Sequence, residues 1–137
     1  MFSDPAHRVR VVFVEEHEDS RETVALALSI AGFEVRSFAS PTEALAAIER
    51  DAPHVVITSI VLPEMRGDDL ARLVKLAPLP RRPAIVAATG VSDACSDEGR
   101  LFDRVLIKPL DVDRLVEEVR ELAARDGRPS GGGPREA

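Results

Sequence analysis

Residue types that can do chemistry stand directly after four apolar runs. Glu15 and Glu16 follow Val11-Val12-Phe13-Val14, Ser59 follows Val55-Val56-Ile57-Thr58, Thr89 follows Ile85-Val86-Ala87-Ala88, and Lys108 follows Val105-Leu106-Ile107. A serine hydroxyl is a weak nucleophile until a general base takes its proton, and Glu15 or Glu16 is the base at hand. A lysine ammonium beside two carboxylates pairs with one of them. Thr89 either joins this group or satisfies a backbone group at its own strand end. His17 lies inside Glu15-Glu16-His17-Glu18-Asp19, which has metal-ligand residue types but reads as an exposed acidic loop. His54 opens a strand and His7 lies in the leader, and neither has partners at metal-ligand spacing. Cys95 is the only cysteine, so an internal disulfide and a cysteine metal cage are excluded, and it reads as a buried or idle thiol and not a reactive one.

Strands alternating with helices must position these residues. Val9–Val14 is nearly all apolar and reads as a central strand, and Phe33–Phe38 is mixed and reads as an edge. Val55-Val56-Ile57 is a β-branched run bounded by Pro53 and Pro63, the pattern of a strand buried on both faces. Pro83–Ala88 and Val105–Ile107 complete five strands. The first helix is expected to be capped by Asp19 or Ser20, to bury Val24, Leu28 and Ala31 with Leu26 and Ile30 widening that face, and to end at Gly32. Ser40-Pro41-Thr42-Glu43 is a capping box with proline at the first helical position. Gly67-Asp68-Asp69 opens a helix with Leu70, Leu73, Val74 and Ala77 on one side, stopped by Pro78 and Pro80. Residues 91–100 support only a short or irregular fourth helix. The last helix starts near Asp111 and buries Leu115, Val119 and Leu122.

This alternation predicts an α/β fold, a doubly wound parallel sheet of order 2-1-3-4-5 with helices on both faces. Ligands of such sheets gather at the carboxyl ends of the strands, in the crevice between strands one and three. Glu15, Glu16, Ser59, Thr89 and Lys108 all fall at those ends. The expected organisation is a flexible leader over residues 1–8, one domain over 9–125, and a Gly/Pro-rich tail over 126–137 with nothing to bury.

With 137 residues, 45% of them hydrophobic and 31% charged, the chain is the size of one domain with a real core. A net charge of −6, with no basic stretch and no Trp or Tyr, argues against direct nucleic-acid binding. No apolar run approaches a membrane span and no signal segment opens the chain, so a cytoplasmic location is expected. A flavodoxin-like cofactor or enzyme domain would need a phosphate-binding loop after the first strand, where this chain is acidic and repels anions.

Over about residues 9–124 the pattern resembles the receiver domain of bacterial two-component response regulators, a flavodoxin-like, CheY-like fold. The carriers are the acidic pair after the first strand, Leu62-Pro63-Glu64-Met65-Arg66-Gly67, Thr89-Gly90 and Lys108-Pro109. The resemblance implies an aspartate at the end of strand three that takes a phosphoryl group from a histidine kinase. It also implies Mg²⁺ held by the acidic pair and that aspartate, and a lysine and a hydroxyl that contact the phosphoryl oxygens. That contact shifts the face made by the segment before strand five, that strand and the last helix. Carried over by position, the acidic pair is Glu15 and Glu16, the switch hydroxyl is Thr89, the lysine is Lys108, and the phosphoacceptor position is Ser59.

Serine there changes the chemistry. It is neutral, a poor Mg²⁺ ligand, and its phosphoester would not reset as an acyl phosphate does. Glu16 stands where the family mostly has Asp, and its extra methylene moves the carboxylate by about 1.5 Å. Val105 occupies the switch position, which in the family is usually aromatic or polar. The segment between Thr89 and Lys108 is about one helical turn shorter than usual. The expectation is a degenerate, non-phosphorylatable pseudo-receiver. It would be no enzyme, would bind Mg²⁺ weakly or not at all, and would act as a protein–protein adaptor in phosphorelay signalling. Its partners would be a histidine kinase, an effector or another receiver, with a homodimer possible through the last helices. The alternative is a domain still switched by modification of Ser59 or Thr58, or by residual metal or phosphoryl binding.

Overall fold

The computed structural model describes residues 8–90 and 101–125. In chain order these form β1 (Arg10–Val14), α1 (Glu18–Ile30), β2 (Glu34–Phe38), α2 (Pro41–Asp51), β3 (Val55–Ser59), α3 (Gly67–Leu76), β4 (Ala84–Thr89), β5 (Arg104–Ile107) and α4 (Val112–Ala124). The strands make one five-stranded sheet of order β2-β1-β3-β4-β5, and every neighbouring pair is parallel. The expected topology is the observed one. The short fourth helix, Cys95, the leader through residue 7 and the tail from 126 lie outside the described residues.

Period-2 alternation explains why the central strands are apolar throughout. Val12, Val56, Ile85 and Ala87 face α2 and α3, where Ala44, Ile48, Leu70 and Val74 cover them. Phe13, Ile57, Val86 and Leu106 face α1 and α4, where Leu28, Leu115 and Val119 meet them. β3 is buried along its whole length, because it has a strand on each edge and helices over each face. β2 lies at an edge and is mostly open. At the amino end of the sheet, the His54 ring Nδ1 accepts the Arg10 N–H at 3.0 Å. His54 thus serves the strand pairing.

Four helix expectations need correction. α1 is entered through His17, whose side chain makes no cap bond. Asp19 and Ser20 therefore do not cap it, and Glu18 and Asp19 instead lie in the first turn, where the helix dipole favours them. Leu26 is 62% and Ile30 77% exposed, because each is two residues from buried Leu28, about 200° around the helix. Leu73 is 41% exposed, since it is turned about 100° away from buried Val74. The capping box is half formed. Ser40 Oγ accepts the Glu43 N–H at 3.2 Å, but its own proton goes to Glu64 Oε1 at 2.9 Å, which also accepts the Thr42 N–H at 3.2 Å.

The end of α1 is as expected. Gly32, at φ 106°, donates to Ser29 O at 3.0 Å, and Phe33 donates to Leu28 O at 3.2 Å. These are the paired bonds of a Schellman ending, and the positive φ explains the glycine. No described helix is long and apolar enough to cross a membrane.

Candidate functional site

Sheet register brings the site together. Val14 pairs with Thr58, Ser59 with Ala88, and Thr89 with Ile107, so all the carboxyl ends finish at one level. Glu15 is tied to the edge strand by its N–H donating to Phe38 O at 3.0 Å, and Lys108 to β4 by its N–H donating to Thr89 O at 2.8 Å. The Lys108–Pro109 peptide is cis.

Three side chains close a triangle. Ser59 Oγ donates to Glu15 Oε1 at 2.7 Å. Lys108 Nζ donates to the same Oε1 at 2.9 Å and to Ser59 Oγ at 2.9 Å. Ser59 is 1% and Glu15 3% exposed, whereas the Lys108 side chain is about one third open, at 34%. The second carboxylate oxygen is also taken. Glu15 Oε2 accepts the His17 N–H at 3.0 Å and meets His17 Nδ1 at 3.1 Å. Each atom of the Glu15 carboxylate thus has a donor, as a buried charge requires.

These contacts act on the Glu15 pKa. Burial alone raises it, but the His17 backbone N–H, the Lys108 ammonium and the Ser59 hydroxyl outweigh burial and lower it from 4.5 to about 2. A carboxyl depressed in the folded state stabilises the fold above its unfolded value, and that stabilisation is lost as pH falls toward the folded value. Stability should therefore fall between pH 4.5 and about 2, by about 2–3 kcal/mol from this group after allowance for the open side of Lys108. Urea denaturation over that range checks it. Glu15→Gln should flatten the profile, and an unchanged slope would remove Glu15 as its source.

The acidic pair divides. Glu16 is exposed and its carboxylate takes no part in the network, because consecutive residues of an extended segment point to opposite sides. Thr89 is buried, at 2% exposure, but its Oγ1 donates to Gly90 O at 3.0 Å. The backbone reading of Thr89 is the one the geometry has. Val105 is half-buried against the core on the α2–α3 side.

Two residues were missed as neighbours of the site. His17, read as a bystander in an acidic loop, holds Glu15. Arg21 Nη1 reaches back to Glu15 O at 3.0 Å and Glu16 O at 3.3 Å. No spacing rule marks either one, since both act across a loop-to-helix turn.

Mg²⁺ demands a tight octahedron of hard oxygen donors. Here Glu15 is saturated and has an ammonium at 2.9 Å, Glu16 stands outside, and Ser59 offers a neutral oxygen. The donor set does not fit that ion. Among the described residues, no group of three or more His, Cys, Asp or Glu is placed to hold a metal.

The Response regulator receiver domain family profile matches residues 11–120. The chain is 37% identical over 113 residues to the C4-dicarboxylate transport transcriptional regulatory protein DctD of Rhizobium meliloti, covering 80% of this chain but 24% of that protein. It is 27% identical over 114 residues to the response regulator receiver protein CpdR of Brucella abortus, covering 82% of this chain and 95% of that one. It spans about half, 51%, of the transcriptional regulatory protein TcrX of Mycobacterium tuberculosis. A receiver domain structure from Methylobacillus flagellatus superposes with a TM-score of 0.79 at 26% identity, covering 84% of this chain and 98% of that one. A response regulator structure from Chloroflexus aurantiacus gives 0.78 at 29% identity, covering 86% and 99%. Fold, strand-end residues and sequence similarity agree: the chain belongs to the response regulator receiver domain family.

Proposed function

We propose that this receiver domain is a pseudo-receiver, an adaptor that signals through protein contacts and is not switched by aspartyl phosphate. The observation that supports this is the closed Glu15–Ser59–Lys108 triangle. Ser59 Oγ lies 2.7 Å from Glu15 Oε1 and 2.9 Å from Lys108 Nζ, so the lysine is engaged by this chain's own side chains and each member of the triangle has a partner. The domain is then no enzyme and binds no nucleic acid directly. Its partners are the proteins of two-component signalling (a histidine kinase, an effector or another receiver), and its place is the cytoplasm. CpdR, matched over 95% of its own length, is a relative of similar extent. DctD carries a similar segment as 24% of a regulator.

Modification of the hydroxyls by a serine/threonine kinase finds no support in the geometry. Thr58 and Ser59 are 0% and 1% exposed. Thr58 Oγ1 is spent on Ser59 O at 2.9 Å, and phosphate on Ser59 would face the Glu15 carboxylate.

Intact-mass measurement after incubation with a small phosphodonor, beside amide-resolved NMR titration with Mg²⁺ and beryllofluoride, tests the reading. No mass gain and no saturable shifts at Ser59, Thr89 and Lys108 are expected. Isothermal titration with Mg²⁺ should give no specific heat of binding. Saturable shifts spreading to α4, or a phosphoryl adduct, would overturn the proposal.

A further inference from the structure

Away from the pocket, two exposed apolar strips carry opposite charge and lie on opposite faces of the sheet. On α1, Leu26 and Ile30 are 62% and 77% exposed, one turn apart, and the helix entry presents the exposed acids Glu16, Glu18, Asp19 and Glu22, offset in part by Arg21 at that entry and by Arg120 on Ala31 O at the far end. On α3, Leu73 and Leu76 are 41% and 81% exposed. Their surroundings are basic: Arg72 and Lys75 on the same helix, and Arg82 after it. Asp69 offsets part of this through its bond to Arg72 at 3.2 Å. Arg82 folds over the end of the helix, donating to the carbonyls of Val74, Lys75 and Ala77, and so holds a positive charge beside the strip. In a chain of net charge −6, a basic apolar patch on one helix and an acidic one on another are not an averaged surface. Isolated exposed apolar residues need no explanation, but two such pairs whose surroundings carry net charge of opposite sign are complementary to one another.

We propose that the occupant of each strip is the other strip on a second copy of this chain, with α1 of one molecule docking on α3 of the next. Charge complementarity selects this pairing. An α1–α1 contact would set acidic entry against acidic entry, and an α3–α3 contact would do the same with bases, whereas α1 on α3 joins opposite signs around apolar centres. The Leu26/Ile30 and Leu73/Leu76 spacings, four and three residues, are the ridge spacings by which helices interdigitate. α1 packs with α4 over one face of the sheet and α3 with α2 over the other. A molecule docked through α1 therefore still presents α3. The contact is heterologous, and it extends head to tail instead of closing as a two-fold dimer. With two apolar side chains per strip it is weak and concentration-dependent.

Sedimentation velocity of the full chain tests it. The weight-average sedimentation coefficient should rise with protein concentration and fall back when ionic strength is raised from about 0.05 to about 0.5 M. Leu26→Ser/Ile30→Ser and Leu73→Ser/Leu76→Ser change exposed positions and should keep the fold by circular dichroism. Each double variant alone should be monomeric, because one strip is lost. Mixed in equal amounts they should form a one-to-one pair, since each supplies the strip the other lacks. A wild-type chain that stays monomeric at all concentrations would overturn the proposal. So would self-association abolished by only one of the two double variants, the mark of a like-with-like interface, or association that survives both.

Discussion

Replacing Lys108 by methionine should lower stability by about 2–4 kcal/mol and raise the Glu15 pKa from about 2 toward or beyond its ordinary value of 4.5. Methionine keeps an apolar stem of similar reach, so the loss belongs to the charge. Glu15, with 4% of its side chain exposed, would keep its His17 and Ser59 donors but lose the ammonium that offsets its burial. An uncompensated buried charge is among the largest single-site penalties known, and the open side of Lys108 keeps the figure at the lower part of that range. Urea unfolding of Lys108→Met, Glu15→Gln and the double variant gives the coupling. The double variant should lose less than the two single losses added, by about 1–3 kcal/mol. Unchanged stability in Lys108→Met would mean that the triangle contributes nothing, and the proposed phosphate-independent pocket would lose its physical basis.

Gly67→Ala should be far more damaging than Gly32→Ala, the other described glycine substitution with a structural cost. Gly67 opens α3 with its N–H donating to Ile60 O at 2.8 Å, which presses the helix start onto the end of β3. A Cβ built there overlaps the carbonyl oxygen of Ser59 and stands 3.0 Å from Ile60 Cα and 3.0 Å from Ser59 C. All three are backbone atoms that no rotamer change can move. The expected loss is about 3 kcal/mol or more, a fall in Tm of about 10 °C or more for a domain of this size. Because the clash is with the residue carrying the triangle's hydroxyl, the amide signals of Ser59 and Lys108 should move with it. Gly32→Ala is the comparison. Gly32 has φ 106° but no atom within 4 Å of an added Cβ, so the cost is backbone strain alone, about 1–2 kcal/mol. Equal losses at the two positions would show that the helix start yields, and that the close approach is not what places Ser59.

How the sheet orders itself was legible in the residues. The apolar run of β3, the mixed pattern of β2 and the alternation with helices left 2-1-3-4-5 as the topology, because a strand neighboured on both sides must be apolar throughout and an edge strand need not be. Gly32 and Ser40-Pro41 marked helix ends through local backbone chemistry that acts within a few residues. The widths of the buried helix faces were not legible. Leu26, Ile30 and Leu73 are as apolar as Leu28, and which of them meets the sheet depends on how each helix is rotated over it.

The same division runs through the site. Sequence by itself determined which residue types arrive at the carboxyl ends of the strands, since each follows directly on its own apolar run, and it determined that a hydroxyl stands at the end of β3. Tertiary structure decided which of them act together. Glu15 turns inward and Glu16 outward because successive residues of an extended chain alternate. Thr89 spends its hydroxyl on Gly90, and His17 enters the group because the turn into α1 aims its N–H at Glu15. Lys108 meets Glu15 across 93 residues of chain through parallel register alone. Bonds at that separation follow from how strands and helices are laid side by side, and no local pattern of residues records them.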